Sequence, residues 1–274
     1  MLRRVLALPH GRRLDVVEVG DPHGRPVLLF HGTPGGPLEV CGCEDDARRA
    51  RVRLLCAGRP GYADTSSAPP SLLRVVDDTR FLLGDLGVER IGCLGVSGGG
   101  PYAAAVAASL TGQATGLALL AGVGPAELTQ WGDEPDDQEE RRAVELARSG
   151  HSEEAATVIR DLVARWVTEV VADPAGPVPA DIRTAILDGA RHGHDGPVFD
   201  RLTTAVGWDV DVDTVACPTT LRYGAADTAV PPAHGRWYEA RIPQAALTVV
   251  PGADHPGTIR PAFATVLPWL ADLP

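Results

Sequence analysis

Apolar residues recur through Val5–Leu8 and again at Leu14, Val16, Val17 and Val19, with His10-Gly11 between the two stretches and Gly20-Asp21-Pro22 after them. That pattern predicts a β-hairpin. Beyond it the chain changes to short continuous apolar runs, Pro26–Phe30, Leu54–Ala57, Ile91–Val96, Gly116–Ala121, Thr219–Tyr223 and Ala246–Val250. Runs of this length, bounded by glycine and proline, predict strands covered on both faces. Between them lie helical stretches: one ending near Ala50, Ser71 to about Leu86, the alanine-rich Gly98–Leu110, one after Pro231-Pro232 and a closing one from Ile259. Strands alternating with helices predict parallel pairing through crossover helices, so the fold class is α/β with a mostly parallel, doubly wound sheet.

From Gly124 the strand signals vanish. Charged amphipathic helices are predicted over Asp137–Arg148, Glu153–Val171 and Asp181–Ala190, and strand character returns only at Thr219. The expectation is a core built from residues 1–123 and 206–274, carrying an inserted helical cap at 124–205. This insertion holds 17 acidic residues against 8 arginines, a net −9 of the chain's −11. Such a charge either forms a vestibule that attracts a cationic group or marks the solvated faces of exposed helices.

Composition narrows the function. At 274 residues, 44% hydrophobic and 22% charged, the chain is long and apolar enough to fold around a sizeable core. All 25 basic residues are arginine, which removes amine chemistry such as Walker-type phosphate loops and Schiff bases. The acidic balance argues against nucleic acid as a partner, whose phosphates need a basic face. No apolar run approaches the roughly 20 residues of a membrane span, and Val5–Leu8 is too short for a signal-peptide core. Five cysteines, an odd number, fit no disulfide framework. A soluble protein of the reducing cytoplasm, acting on a small molecule, is expected; oligomeric state leaves no trace in the sequence.

The sharpest chemical signal is Gly95-Val96-Ser97-Gly98-Gly99, directly after a buried strand and directly before a helix. Small residues at Gly95 and Gly99 permit a tight turn that lifts the Ser97 hydroxyl above the sheet edge, while the helix N-terminus favours a developing oxyanion. A serine hydroxyl needs a base, and the base an orienting acid. Asp227 follows the strand ending at Tyr223 and His255 follows the strand ending at Val250, so both stand at strand carboxyl ends, where loops of a parallel sheet converge. Asp254 is a rival acid, but adjacent side chains point apart. The loop His31-Gly32-Thr33-Pro34-Gly35-Gly36 also follows a strand. Two N–H donors to an oxyanion are expected: Gly98 and, from this loop, Thr33, with Gly32 next; Pro34 has no N–H. His31 is expected to brace the loop.

These pieces, together with Arg59-Pro60-Gly61-Tyr62, Tyr223-Gly224 through Asp227, and Gly252–His255, stand in the order found in the α/β-hydrolase superfamily, and the chain resembles its cap-bearing serine hydrolases. That branch includes small esterases, proline iminopeptidases, carbon–carbon bond hydrolases and cofactor-free perhydrolases. The resemblance implies Ser97 as nucleophile, His255 as base, Asp227 as its acid, 124–205 as cap, and no cofactor or metal. Two departures stand out. Gly58 occupies a position where many relatives carry aspartate, and Thr33-Pro34 stands where long His-Gly-Gly-Gly loops differ. Ser97 excludes the aspartate nucleophile of dehalogenases and epoxide hydrolases. His192-Gly193-His194-Asp195 has the wrong carboxylate spacing for a metal site, and Cys41-Gly42-Cys43 lacks the spacer of a zinc site.

The function expected from these residues is hydrolysis of a small ester, or less favourably an amide or thioester, through a Ser97 acyl-enzyme. The alternatives are a proline-iminopeptidase-like aminopeptidase, whose substrate ammonium the acidic insertion would hold, and a slow or non-catalytic small-ligand receptor on the same fold.

Overall fold

The computed structural model describes residues 1–129, 131–173, 175–176 and 178–274. Positions 130, 174 and 177 of the expected cap lie outside the described residues. The alternating segments at the N-terminus pair as the antiparallel strands β1 (Leu2–Ala7) and β2 (Arg13–Gly20), with Arg4 opposite Val16. The continuous runs become β3 (Arg25–Phe30), β4 (Val52–Ala57), β5 (Ile91–Val96), β6 (Ala114–Leu120), β7 (Thr219–Gly224) and β8 (Ala245–Val250). They form one eight-stranded sheet in the order β1-β2-β4-β3-β5-β6-β7-β8. Pairing from β4 to β8 is parallel, and β2 joins β4 antiparallel. The carboxyl ends of β3, β5, β7 and β8 therefore share one edge, which is where the candidate residues stand.

Helices cover both faces because the central strands are apolar on both. One face packs Leu28, Leu55 and Leu119 under α2 (Leu72–Leu86), α3 (Gly100–Ser109) and α8 (Pro232–Arg241); the other packs Leu29, Leu54 and Leu94 under α1 (Glu44–Arg49) and α10 (Phe263–Asp272). Helix α2 shows why a boundary is readable from sequence: the Ser71 hydroxyl caps Arg74 N–H at 3.1 Å, and Gly87 closes the helix in the left-handed conformation at φ 61°. Alanines of α3 allow it to lie close on the sheet, every one of Ala103–Ala107 being buried.

Between β6 and β7 the chain runs through α4 (Pro135–Arg148), α5 (Ser152–Ala172), α6 (Ala180–Gly189) and α7 (Asp195–Ala205), of which α4, α5 and α7 share a small core of Ala143, Ala155, Ile159, Val198 and Leu202. Helix α7 is not predicted by the sequence reading. Its Gly196-Pro197 pair reads as a break, yet proline in a first turn costs no hydrogen bond and starts a helix well. No described helix is long and apolar enough to cross a membrane.

The turn that leads into α3 packs closely against the end of β3. A Cβ at Gly99 would overlap the Phe30 carbonyl oxygen, a backbone atom with nowhere to move. Gly99→Ala is therefore expected to cost at least about 3 kcal/mol, near the upper end for overpacking, read as a drop of several degrees in Tm and loss of soluble protein.

Candidate active site

Ser97 is the first residue after β5, and its φ of +49° is one that non-glycine residues rarely adopt. The strained turn holds because small neighbours surround it: a Cβ at Gly95 would lie 2.9 Å from Ala103 Cβ and from Gly100 Cα. Gly100 and Val123 N–H both bond the Ser97 carbonyl, the latter at 3.0 Å. The side chain is thus presented at the sheet edge ahead of α3.

Asp227 and His255 arrive from the next two strand ends. Ala226 N–H bonds Ala253 O at 2.9 Å, and a Cβ at Gly224 would overlap Ala253 O, so the β7 and β8 loops are pressed together. The Asp227 carboxylate is buried; Oδ1 accepts from Ala229 and Val230 N–H at 3.0 and 2.8 Å, and Oδ2 lies 2.7 Å from His255 Nδ1. His255 Nε2 lies 3.1 Å from Ser97 Oγ. The structure thus brings the three residues into one hydrogen-bonded series. Asp254 instead caps α9 (His255–Ile259), its Oδ1 accepting from Gly257 N–H at 2.8 Å.

Thr33 and Gly98 also meet: a Cβ at Gly98 would crowd the Thr33 side chain and lie 3.1 Å from Thr33 N. Gly98 N–H stands in a helix first turn, where N–H groups lack intrahelical acceptors. Thr33 N–H has no acceptor among the described residues. Gly32 N–H, by contrast, is taken by Glu39 Oε2 at 2.8 Å. His31 is fully buried with Nδ1 2.9 Å from Gly32 O, and Arg59 N–H approaches its Nε2 at 3.4 Å. Burial, and then the Arg59 charge, hold its pKa down at about 3, so the ring stays neutral.

Two groups in this region carry no sequence signal. Glu39, in a 3-10 turn from Pro37 to Cys43, is buried against the His31–Gly36 loop, and burial pushes its carboxyl up to about 7. Asp200 of α7 pairs with Arg59 inside the protein, 2.6 Å from Nη2 and 2.7 Å from Nε. Asp200 meets Arg59 across 141 positions, and Glu39 accepts from a backbone N–H that no side-chain pattern marks, so no spacing rule could have found either.

A cavity of about 380 Å³ opens at Ser97 and His255; Glu39, Trp166, Ile182 and Phe263 are among its walls. A second chamber of about 310 Å³, lined by Asp136, Asp137, Glu140 and Arg201, shares Thr33, Pro34 and Trp166 with it. His192 and His194 do not converge: His192 Nε2 lies 2.9 Å from Asp64 Oδ1, while His194 Nδ1 is buried without a partner among the described residues. Cys41 and Cys43 are free thiols, and burial raises both pKa values. At Gly58 a Cβ would lie 2.8 Å from Thr65 Oγ1, which leaves little room for the aspartate of other relatives.

The profile of the alpha/beta hydrolase fold family matches residues 25–259, and the chain belongs to that family. Among curated proteins it is similar to a proline iminopeptidase of Xylella fastidiosa (strain Temecula1 / ATCC 700964), 32% identical over 124 residues, covering 42% of this chain and 38% of that protein. A proline iminopeptidase of Xanthomonas citri is 36% identical over 101 residues, covering 33% and 30%. The matched stretches thus span under two-fifths of these relatives' length. Among solved structures, a bromoperoxidase from Bacillus anthracis superposes with a TM-score of 0.73 at 20% identity, covering 98% of this chain and 99% of that one. An esterase from Exiguobacterium antarcticum gives 0.71 at 14% identity, covering 98% and 99%. These similarities establish the common fold.

Glu39 yields a stability test. Its carboxyl keeps its proton in the folded state up to about pH 7, whereas the unfolded chain releases it near 4.5, so this group lowers stability as pH rises through that window. Glu39→Gln removes the ionisation while its amide oxygen still serves Gly32 N–H. The variant's Tm relative to wild type is expected to rise by several degrees between pH 5 and pH 8, corresponding to roughly 2–3 kcal/mol at most; a difference constant across that range would show that burial does not burden this carboxyl.

Proposed function

We propose that the protein is a serine hydrolase that cleaves a small ester through an acyl-enzyme on Ser97. The observation that carries this reading is the series Ser97 Oγ, His255 Nε2, His255 Nδ1, Asp227 Oδ2, with separations of 3.1 and 2.7 Å at its two contacts. Ser97 Oγ attacks the ester carbonyl as His255 Nε2 takes its proton, and Asp227 holds the imidazole and stabilises its charged form. The carbonyl oxygen becomes an oxyanion between Thr33 and Gly98 N–H. On collapse the alcohol leaves with the proton from His255, and water, activated by the same imidazole, releases the acid and restores Ser97. No step draws on a metal or cofactor.

Residues 124–205 act as a cap over this site. Helices α5 and α6 contribute Trp166, Ile182 and Ile186 to the larger cavity, whose apolar lining favours an aliphatic acyl group. A fluorophosphonate should label the wild-type protein, and Ser97→Ala should abolish both labelling and turnover of p-nitrophenyl esters. His255→Ala and Asp227→Asn should each lower kcat by roughly 10⁴-fold with the fold intact, since such residues act as a unit. Labelling that persists without Ser97 would overturn the assignment, and a single burst without further turnover would favour the receptor reading.

The aminopeptidase reading is favoured by a specific feature, Glu39 in the wall of an otherwise largely apolar cavity, and by the similarity to proline iminopeptidases. A methyl built on Gly32 would sit 3.5 Å from Glu39 Oε2 and 3.9 Å from Ser97 Cβ, so one carbon's width separates the carboxylate from the serine side chain. A cationic amine on the acyl group would pair there, and Asp136, Asp137 and Glu140 would draw it in. The isosteric 2-aminopropanoyl and 2-methylpropanoyl p-nitrophenyl esters test this. The amino ester should lead at least tenfold in kcat/KM, and the lead should shrink in Glu39→Gln and with added salt. Equal rates in wild type at all ionic strengths would leave the simple esterase.

A further inference from the structure

The inserted helices do more than bound the cavity. The loop from His31 to Gly36 is gripped by them from two directions. From one side, α6 lies against its backbone: a Cβ at Gly36 would approach Ala185 O to 2.7 Å, and a Cβ at Gly189 would overlap Gly35 O. From the other, α7 sends Asp200 beneath the loop, where its carboxylate accepts from the Thr33 hydroxyl, from Tyr62 Oη at 2.7 Å and from Arg59 at 2.6 and 2.7 Å. Arg59 in turn donates to His31 O at 2.6 Å, Gly32 O at 3.1 Å and Thr33 Oγ1 at 3.0 Å. The two charged side chains are 1% and 4% exposed. Burial alone would raise the Asp200 pKa, but the charge and hydrogen bonds of Arg59 bring it below the ordinary value, so the pair is ionic.

The consequence lies in which loop groups remain free. Both carbonyls preceding Thr33 are turned to Arg59, the Thr33 hydroxyl is tied to Asp200 and Arg59, and Gly32 N–H is held by Glu39. Thr33 N–H has no acceptor among the described residues and lies against Gly98, the residue after Ser97. We propose that Asp200 is a positioning residue which, through Arg59 and the Thr33 hydroxyl, sets the Thr33 N–H for the oxyanion, making the insertion part of the catalytic apparatus. The inference rests on the serine-hydrolase reading above. It follows that a foreign cap grafted onto this core keeps the full rate only if it returns a carboxylate to the position of Asp200.

Two variants test it, because Asp200→Asn leaves Arg59 buried beside a neutral group and could destabilise the fold. Thr33→Val keeps the side-chain shape and cuts only the hydroxyl tether. In each, active sites are titrated by fluorophosphonate capture at Ser97, and kcat is expressed per titrated site, so that loss of folded protein does not enter. Asp200→Asn is expected to lower kcat per site by about 10²-fold, the scale of one lost oxyanion donor, and Thr33→Val by about tenfold, with KM within threefold of wild type and labelling slowed in step. If both variants keep kcat per site within twofold while Tm falls, the pair only packs the loop and the proposal is overturned. If wild-type Ser97 does not react with the probe, the serine-hydrolase reading itself has failed, a result distinct from the first.

Discussion

The arrangement depends on how closely the start of α3 can approach the end of β3. Gly99 abuts the Phe30 carbonyl and Gly98 abuts Thr33, so two loops that follow different strands share one small volume. Ser97 is held there at a positive φ, a conformation that costs energy and persists because the packed strand, helix and loop leave it no other. Any side chain at these glycines would separate the loops, and the hydroxyl of Ser97 would no longer stand between an imidazole on one side and free N–H groups on the other.

Around that point the charges are sorted by depth. Asp227 is buried but meets two backbone N–H groups and the imidazole, so its lone pairs are used. Asp200 is buried but faces a guanidinium in bidentate geometry, the arrangement that best offsets desolvation. Glu39 is buried with one backbone donor, and its carboxyl is accordingly the one that burial pushes up to about 7. Glu39 and Asp200 are thus shifted in opposite directions because they differ in partners. In the proposed mechanism this leaves Asp227 to the imidazole, Asp200 to the loop and Glu39 to the cavity.

Helices α6 and α7 meet the rest of the chain through polar contacts at several points as well as through apolar packing. Phe199 stacks on Tyr102 at 6.1 Å, the Arg59–Asp200 pair lies beneath the loop, and further ion pairs join Arg3 to Asp188, Arg191 to Asp15 and Asp64, and Arg260 to Asp181. A buried pair such as Arg59–Asp200 adds little net stability against apolar packing, but it accepts only one register. In the proposed mechanism, a register fixed at Thr33 serves a site whose donors must be aligned to within a fraction of an ångström.

The sequence by itself determined the sheet and the series Ser97, Asp227 and His255, because both depend on local information. Continuous apolar runs mark strands covered on two faces, and loops at the carboxyl ends of parallel strands must converge. The same local logic places Thr33 ahead of Gly32 and Asp227 ahead of Asp254 as expectations; in the structure Gly32 N–H is taken by Glu39, Asp227 lies beside His255 and Asp254 caps α9. Helix α7 is weakly marked in sequence because glycine and proline, poor helix formers in an interior, fall in its first turn. Glu39 and Asp200 are unmarked because a carboxylate's role is set by what surrounds it. Asp200 meets Arg59 across 141 positions, and only the folding of the insertion back over the sheet edge makes them neighbours.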